Sequence, residues 1–419
     1  MSRSAVREIQ VSGIRVHREE VVVPAQIGDA VHGLLTCPAA PLVAGSLRAK
    51  GRTVRLADFP RCDDPSGDFD ARLYLATCPQ QDGTTAAIAA AAAPGDALSA
   101  TAARAAVEEW AAVSGSRTLL LAGSPWCSGA MHAASAATQA ASECRGTGRQ
   151  VHVLAPAAIP DETAIALDDL GAVITSCLAE VDPGDVVVVP AHGVTAEMRA
   201  EAVRRGATII DATCPLVAAA QTAASRSADR GQQLVLIGQP GHASTATIAS
   251  QAPGGVTIVD TPAKTAAIRA GDSRQLSYLI QPGGTLEAGA PIVTALRSRY
   301  PAVRSAVPAD VCYAPSDRAG TIYSVALGSE LMLVLGDPQA PDTKQVCGYA
   351  RDSGTRVQTI AGVPDIRPAM LTSVDTIGLA ESTSAPMGLA AQVIGALSGL
   401  GRLSLARRRL TTEKSTVGV

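Results

Sequence analysis

The chain has 419 residues, of which 47% are hydrophobic and 17% are charged, and its formal net charge at pH 7 is −3. A chain of this length exceeds one ordinary hydrophobic core, so two or more domains are expected. The weak net charge and the 2% of aromatic residues exclude the basic, base-stacking surface of a nucleic-acid-binding protein. The sequence contains no uncharged apolar run of about 18 residues, so no membrane span is predicted. The first residues also lack the apolar segment of a secretory signal. We therefore expect a cytoplasmic protein.

Residues 1 to about 115 are predicted to form a separate α/β-like region of unknown role. Residues 32–60 have the pattern strand, loop, helix, strand, and residues 71–93 have the pattern strand, loop, helix. The first strand of each stretch ends in Thr-Cys-Pro, at Cys37 and Cys78. Two cysteines without a third ligand favour buried thiols over a metal site. A helical stretch within 93–117 is expected to connect this region to the rest of the chain.

The core of the chain, residues 116–403, repeats an apolar strand, a short loop of glycine, proline and small polar residues, and an alanine-rich helix. Strands that are apolar on both faces and alternate with helices are typical of parallel sheets covered on both sides. Ligands bind beyond the carboxyl ends of such strands, where these loops lie. We predict three similar units, at about 128–214, at about 215–311, and at about 312–403 together with 116–127. Residues 404–419 are predicted to form a C-terminal tail.

Three of the nine cysteines, Cys127, Cys214 and Cys312, directly follow strands at similar spacing. An odd number of dispersed cysteines argues against a disulfide framework. Three thiolates are too few for a closed tetrahedral zinc site, but they suit an iron–sulfur cluster that keeps one iron open. The spacing alone leaves three unrelated buried thiols as an equal alternative. Packing as small hydrophobes is expected of three others, Cys144, Cys177 and Cys347.

Five separated motifs resemble those of the 4-hydroxy-3-methylbut-2-enyl diphosphate reductase family, iron–sulfur enzymes of isoprenoid biosynthesis. They stand in the family's order as "PAHGV" (190–194), "IIDATCPLV" (209–217), "GQPGH" (238–242), "ADVCYAPSDR" (309–318) and "STSAP" (382–386). The resemblance covers about 117–403. It implies an α/β fold in which three units with parallel sheets surround a central [4Fe-4S] cluster in a pseudo-threefold arrangement. Its implied ligands are Cys127, Cys214 and Cys312.

In that family the open iron binds an allylic hydroxyl, and two electrons and protons remove it as water. The resemblance implies pocket roles for His192 and His242, as donors of a proton or a hydrogen bond, and for Ser384 at the phosphate site. The alternative for each histidine is ordinary capping or packing. A ferredoxin or flavodoxin is the expected electron donor, because no G-x-G-x-x-G fingerprint lies between a strand and a helix.

The expected acid–base positions depart from the family pattern. Ser244 takes the place of the family's proton-delivering glutamate, and Ile159 stands where a third histidine is expected. Serine is a weak acid, so it is expected only to relay a proton. Candidate substitutes for the lost carboxyl group are Glu287, Glu381 and Asp342, each of which is also explained as an ordinary loop residue.

The expected diphosphate positions depart from it as well. Pro282 and Gly283 replace the family's paired threonines, with Thr285 close by, and residues 340–342 read Ala-Pro-Asp instead of Ser-Ser-Asn. Hydroxyl and backbone donors are lost, and Asp342 adds a negative charge where a diphosphate would bind. A phosphate pocket depends on donors and positive charge. The resemblance therefore implies an intact cluster site beside an altered substrate pocket.

The predicted function is a [4Fe-4S]-dependent reductase that removes a hydroxyl group from, or otherwise reduces, a non-standard small molecule. The first alternative is a genuine 4-hydroxy-3-methylbut-2-enyl diphosphate reductase. The second is a non-catalytic iron–sulfur redox sensor or assembly partner, and a cluster-free scaffold is a further possibility.

Overall fold

The structure, a computed structural model, describes residues 5–12, 14–29, 33–59, 70–154, 159–270, 272–306 and 311–412. The chain divides into two compact units. The first unit comprises Met1–Gly123 with Thr321–Arg409, and the second comprises Ser124–Gly320 with Leu410–Val419. None of the helices in the described ranges is both long enough and apolar enough to span a bilayer.

The N-terminal part of the first unit is a mixed sheet with two helices. Its elements are β1 (Arg7–Val11), β2 (Glu20–Val23), β3 (Gln26–Asp29), β4 (Gly33–Thr36), α1 (Ala40–Ala49), β5 (Thr53–Leu56), β6 (Ala71–Pro79), β7 (Thr85–Ala92) and α2 (Ala97–Ala112). The strand order is β1-β6-β7-β2-β5, with β4 pairing β3 and β7. The fully buried Trp110 donates its indole N–H to Ser46 Oγ at 3.0 Å, which ties α2 to α1.

The alanine-rich stretch after Cys78 is a strand, so the prediction of a helix there is wrong. Residues 85–92 form β7, which pairs antiparallel with both β6 and β2. The turn between β6 and β7 contains Gly83 at φ 85°, and Asp82 accepts the backbone N–H of Thr84. Almost every β7 side chain is buried. Pairing on both edges in a buried position outweighs the intrinsic helix preference of alanine.

The second unit contains two parallel sheets with their connecting helices. Strand β8 (Arg117–Ala122) belongs to the first unit and precedes them in the chain. The first sheet of the second unit and its helices comprise α3 (Ser128–Cys144), β9 (Val151–Leu154), α4 (Asp161–Asp169), β10 (Val173–Thr175), β11 (Val186–Val189), α5 (Ala196–Arg204) and β12 (Thr208–Asp211). Its strand order is β10-β9-β11-β12. The four valines of β11 are buried, as expected for a central strand covered on both faces.

The second sheet of this unit has the order β14-β13-β15-β16 and is also parallel. Its elements are α6 (Pro215–Asp229), β13 (Gln233–Ile237), α7 (Ala243–Ala249), β14 (Val256–Val259), β15 (Leu276–Ile280), α8 (Leu286–Arg299) and β16 (Arg304–Ser305). Short 3-10 helices precede β15, at Pro262–Ala267 and Ser273–Gln275. Helix α9 (Ala314–Leu327) then crosses the division between the units.

The C-terminal part of the first unit is a third parallel sheet, in the order β18-β17-β19-β8-β20. Its elements after α9 are β17 (Leu331–Leu335), α10 (Pro341–Arg351), β18 (Arg356–Ile360), two 3-10 helices (Val363–Asp365 and Pro368–Met370), β19 (Thr376–Glu381), α11 (Leu389–Ser398) and β20 (Leu403–Arg408). Strand β20 pairs with β8 along its whole length. Residues 404–408, predicted as the start of a tail, are therefore an edge strand.

These sheets confirm the predicted α/β class with parallel sheets. The N-terminal part shares one apolar core with β17, β19 and α11. A β-carbon at Gly399 would lie 2.3 Å from the backbone nitrogen of Ala39, so the two segments of the first unit are in direct contact. The domain boundaries drawn from the sequence stay predictions.

Candidate cluster-binding site

Cys127 and Cys214 approach each other at the start of two helices in the second unit. Cys127 is the N-cap of α3, where its sulfur accepts the backbone N–H of Ala130 at 3.4 Å. Cys214 is the N-cap of α6, whose first residue, Pro215, has no N–H to leave unpaired. A β-carbon at Gly129 would lie 3.1 Å from Cys214 Sγ and 3.9 Å from Cys127 Sγ. The missing side chain at 129 leaves the space between the two thiols free.

Cys312 shares this environment. Burial raises the pKa of its thiol, the backbone N–H groups of Gly283 and Ala314 lower it by hydrogen bonding to the sulfur, and the charges of Cys127 and Cys214 raise it further. The net direction is upward. Because Cys127 and Cys214 act electrostatically on Cys312, a cationic centre bound near these sulfurs would favour the thiolate form of Cys312.

The three cysteines offer the type of donor that iron–sulfur clusters use. Within the described residues, no group of three His, Cys, Asp or Glu side chains is arranged to hold one metal ion. In an iron–sulfur cluster each cysteine thiolate binds a different iron, so the ligands need not meet at one point. Thiolate is also the soft ligand that such clusters require. Cys127, Cys214 and Cys312 supply donors of this type, one for each of three irons.

The two predicted histidines lie side by side in the same unit. The rings of His192 and His242 have centroids 5.1 Å apart and planes inclined at 61°. Burial lowers the pKa of His192. Burial, followed by the charge of His192, lowers the pKa of His242 to about 4. Both imidazoles are therefore neutral at pH 7, and each carries its proton on one nitrogen only.

Ser244, predicted at the proton-donor position, contacts ring nitrogen Nδ1 of His242. Its backbone N–H donates to His242 Nδ1 at 3.2 Å, and its Oγ lies 2.9 Å from the same nitrogen. Its hydroxyl also donates to the carbonyl oxygen of Pro282 at 2.9 Å, and its side chain is 0% exposed. Because Nδ1 accepts the N–H of Ser244, the proton of the neutral His242 ring resides on Nε2. Ser244 thus fixes the tautomer and orientation of His242.

The loop that replaces the family's paired threonines acts through its backbone. The carbonyl of Pro282 accepts from Ser244, and the N–H of Gly283 bonds to the Cys312 sulfur. Gly283 has φ 98°, and a β-carbon there would lie 3.4 Å from His242 Cε1. Thr285 is the N-cap of α8 and makes no side-chain capping bond. This loop therefore connects the histidine with the third cysteine.

Gln281 belongs to this site and was missed by the sequence analysis. Its side chain is 2% exposed, and its Oε1 accepts from the N–H of Gln239 at 2.8 Å and from Thr245 Oγ1 at 2.7 Å. These bonds join the loop after β13, helix α7 and the loop after β15. The available signal was a polar residue directly after the apolar strand "LSYLI".

Ser384, in the first unit, belongs to a closed group of hydroxyls. Its Oγ lies 2.9 Å from both Thr343 Oγ1 and Ser382 Oγ, and it accepts the N–H of Asp337 at 3.0 Å. Thr343 Oγ1 and Ser382 Oγ are 2.8 Å apart. Gly336, at φ 144°, lies against this group, because a β-carbon there would be 2.0 Å from Ser382 Oγ. The Ser384 hydroxyl is thus already surrounded by polar partners.

Asp342 is also engaged within the first unit. One carboxylate oxygen, Oδ2, accepts the backbone N–H of Thr383 at 2.6 Å and its hydroxyl at 3.0 Å. Helix α10 begins with Pro341, and its N-cap Ala340 offers no side-chain bond. Asp342 therefore links the first turn of α10 to the loop after β19.

The remaining acid–base candidates have other contacts. Glu287 Oε2 accepts the Ser316 hydroxyl at 2.8 Å in the second unit. Glu381 ends β19 in the first unit and also has a polar partner. Ile159 packs against the apolar core between α3 and its sheet. At this position, an apolar contact replaces the expected third histidine.

The other cysteines divide by burial. Cys37, Cys78 and Cys347 are buried, and Cys347 Sγ lies 3.4 Å from Thr359 Oγ1. Cys144 is half-buried at the end of α3. The expectation of a packed Cys177 is wrong, since this thiol is exposed in the loop after β10. Cys62 lies outside the described residues.

Comparison with known proteins identifies the family. The family model described as LytB protein matches residues 119–398. The chain is 38% identical over 257 residues to 4-hydroxy-3-methylbut-2-enyl diphosphate reductase 2 of Mycobacterium bovis, covering 60% of this chain and 78% of the relative. It is 35% identical over 232 residues to 4-hydroxy-3-methylbut-2-enyl diphosphate reductase of Cereibacter sphaeroides, covering 55% and 73%.

Solved structures agree on the fold. The E-1-hydroxy-2-methyl-but-2-enyl-4-diphosphate reductase of Plasmodium falciparum matches with a TM-score of 0.59 and 21% identity, over 70% of this chain and 92% of that one. A second reductase, described as the terminal enzyme of the non-mevalonate pathway, matches with a TM-score of 0.51 and 19% identity, over 67% and 99%. At these identities the likeness concerns the fold alone.

The α/β fold and the family match define the chain as an oxidoreductase. The chain belongs to the LytB protein family and is a reductase of the LytB type. The match begins within β8, at residue 119, so the residues before it fall outside the family region.

Proposed function

We propose that Cys127, Cys214 and Cys312 bind a [4Fe-4S] cluster and that the protein catalyses the reductive removal of a hydroxyl group from a small molecule. The observation that supports this proposal is the proximity of Cys127 and Cys214 around Gly129, in a unit that also holds Cys312 and the paired rings of His192 and His242. When bound, the cluster supplies a Lewis-acidic iron and single electrons. A ferredoxin or flavodoxin is the proposed electron donor.

The protein's own contribution is a neutral histidine with a defined tautomer. His242 presents Nε2–H, because Nδ1 is held by Ser244. A neutral imidazole donates a hydrogen bond to the oxygen of the substrate without carrying a positive charge. His192 packs beside it and favours the neutral form. His242 is thus proposed to orient the reacting hydroxyl, with its proton at Nε2.

We propose further that the preferred substrate lacks a diphosphate. The segment aligned with the family's Ser-Ser-Asn loop has no hydroxyl at 340 and 341, and Pro341 removes a backbone donor as well. Asp342 adds a carboxylate already held by Thr383. The hydroxyl of Ser384 is engaged with Thr343 and Ser382. Anion binding by this segment would require breaking existing hydrogen bonds and placing like charges together.

A second candidate is the reduction of 4-hydroxy-3-methylbut-2-enyl diphosphate itself. The observation that favours it is the 38% identity to a relative of that name over 78% of the relative's length. The two candidates share the cluster and the histidines, and they differ in whether the substrate carries a diphosphate.

The cluster is tested by iron and sulfide analysis of anaerobically purified protein. We expect wild-type protein to contain both elements, Cys214→Ser to lose most of them, and Cys177→Ser, which changes an exposed thiol, to retain them. Equal iron in both variants, or none in the wild type, would refute the cluster.

The substrate is tested by turnover with reduced methyl viologen as electron source. The diphosphate and its dephosphorylated alcohol are compared at equal concentration, in wild type and in the triple variant Ala340→Ser, Pro341→Ser, Asp342→Asn. We expect slow diphosphate turnover that the triple variant accelerates and that the exposed-site control Asp229→Asn leaves unchanged. Rapid turnover of the diphosphate by wild type would establish the second candidate instead.

A further inference from the structure

A cavity of about 910 Å³ lies in the second unit, between the last turns of α6 and the beginning of its second sheet. Four arginines line it: Arg226 and Arg230 from α6 and its end, Arg274 before β15, and Arg304 in β16. No carboxylate is among the described residues that line it. Its volume is typical of a small-molecule site.

The four arginines are exposed to solvent, and most of them have no carboxylate partner among the described residues. Arg274 pairs with Asp272 at 3.1 Å. Within the described part of the chain, Arg226, Arg230 and Arg304 have no ion pair or side-chain hydrogen bond. The presence of an arginine at position 226 is explained in part by its place in the last turn of α6, where the helix dipole stabilises a positive charge. That explanation does not extend to Arg304, which comes from a different element.

The wall of the cavity also contains a buried hydroxyl without a partner. Ser277, in β15, is 9% exposed, and its Oγ makes no hydrogen bond to any described residue. Leaving a buried hydroxyl unpaired costs about 1–3 kcal/mol, so such groups in native proteins call for a partner. Ser277 pairs in register with Arg304, which places hydroxyl and guanidinium on neighbouring strands.

The cavity is distant from the cysteines. Helix α6 begins next to Cys214, and Arg226 lies twelve residues further on, about 18 Å away at 1.5 Å per residue. Ser277 stands near the start of β15, whereas the Gln281 and Gly283 loop follows its end. A molecule in the cavity would therefore occupy a site separate from the proposed reaction centre.

From these features we infer that the cavity is a second ligand site, which binds a phosphate-bearing small molecule. Guanidinium groups bind phosphate oxygens through paired N–H donors, and a serine hydroxyl adds a further donor. The cavity is larger than inorganic phosphate requires, so the ligand carries its phosphate groups on a larger body or as a chain. This inference does not depend on the substrate proposed above.

The test is calorimetric titration of the full-length, cluster-loaded protein with inorganic phosphate and with pyrophosphate at constant ionic strength. We expect pyrophosphate to bind more tightly than phosphate. Arg226→Gln should weaken binding about tenfold, because it removes a charged hydrogen-bond donor. Arg351→Gln removes an arginine from the last turn of α10 in the other unit and should leave binding unchanged.

Ser277→Ala separates a ligand role from a structural one. A structural role predicts lower stability, whereas the unpaired hydroxyl predicts unchanged or higher thermal stability and about threefold or greater weakening of pyrophosphate binding. Iron content should match wild type, since the change lies far from the cysteines. Binding that is undetectable, or that both Arg226→Gln and Ser277→Ala leave intact, would overturn the inference.

Discussion

His242 accepts the backbone N–H of Ser244, two residues further along the chain, on ring nitrogen Nδ1. Ser244, which replaces an expected glutamate, thus hydrogen-bonds to the Nδ1 side of the His242 ring. A glutamate would present its own proton, whereas Ser244 leaves Nε2–H of His242 as the donor. The loss of the acid therefore coincides with an imidazole whose orientation is fixed by hydrogen bonding.

Replacing Ser244 by alanine should lower the free energy of unfolding by about 1–3 kcal/mol. The change leaves the carbonyl of Pro282 without its hydroxyl donor in a buried position. Urea denaturation measures the effect. Ser398→Ala, which removes a hydroxyl that bonds to Gly395 O at the surface, is the control and should cost little. Equal losses in the two variants would contradict a specific role of the buried bond.

Stability should fall as the pH drops from about 6.5 toward about 4. The pKa of His242 is about 4 in the folded protein and near 6.5 when unfolded, so over this range only the unfolded chain takes up the proton. His242→Gln removes this contribution and should flatten the dependence of unfolding free energy on pH. The slope is the readout, since the variant also loses the capping bond to Ser244. An unchanged slope would show that His242 titrates normally.

Gly129→Ala should reduce retention of iron without unfolding the protein. The new β-carbon would lie 3.1 Å from Cys214 Sγ, which displaces a ligand, while alanine favours the helix by about 1 kcal/mol. We expect iron release to a chelator to be about tenfold faster. Gly348→Ala, in the open interior of α10, is the matched helical control and should release iron at the wild-type rate.

Gly336→Ala should destabilise the protein by about 2 kcal/mol or more. The added carbon would meet Ser382 Oγ at 2.0 Å and disturb the hydroxyl group that includes Ser384. Gly354→Ala tests the backbone contribution alone, because Gly354 has φ 81° but open space around it. Thermal unfolding of the two variants should place Gly336→Ala clearly lower. A similar loss in both would assign the effect to the backbone.

The sequence predicted those parts of the molecule that depend on local pattern. Strand-end cysteines at 127, 214 and 312 and the parallel sheets followed from apolar runs and loop composition, and the comparisons bear out the family and the fold class. The roles of the individual residues stay predictions. Segment 85–92 was mistaken for a helix, because pairing with two neighbouring strands cannot be seen in a run of alanines.

The finer features of the site depend on contacts between distant segments. Gln281 accepts from Gln239 and Thr245, and Gly129 is adjacent to Cys214, although nothing near either residue in the sequence indicates this. The hydrogen bond from the Gly283 N–H to the Cys312 sulfur could not be predicted for the same reason. The absence of hydroxyl side chains in this loop does not indicate the direction of its backbone N–H groups. Side-chain loss was visible in the sequence, whereas the backbone bonds that accompany it required the structure.

Strand β8 lies between β19 and β20, which are synthesised long after it. The second unit's sheets, by contrast, are formed by residues 151–305 alone. On the ribosome, those sheets can assemble while β8 still has both edges unpaired. Residues 117–122 must therefore wait for 403–408 before their last hydrogen bonds close, which makes the first unit's parallel sheet the late step of folding and the one that truncation near the C-terminus would prevent.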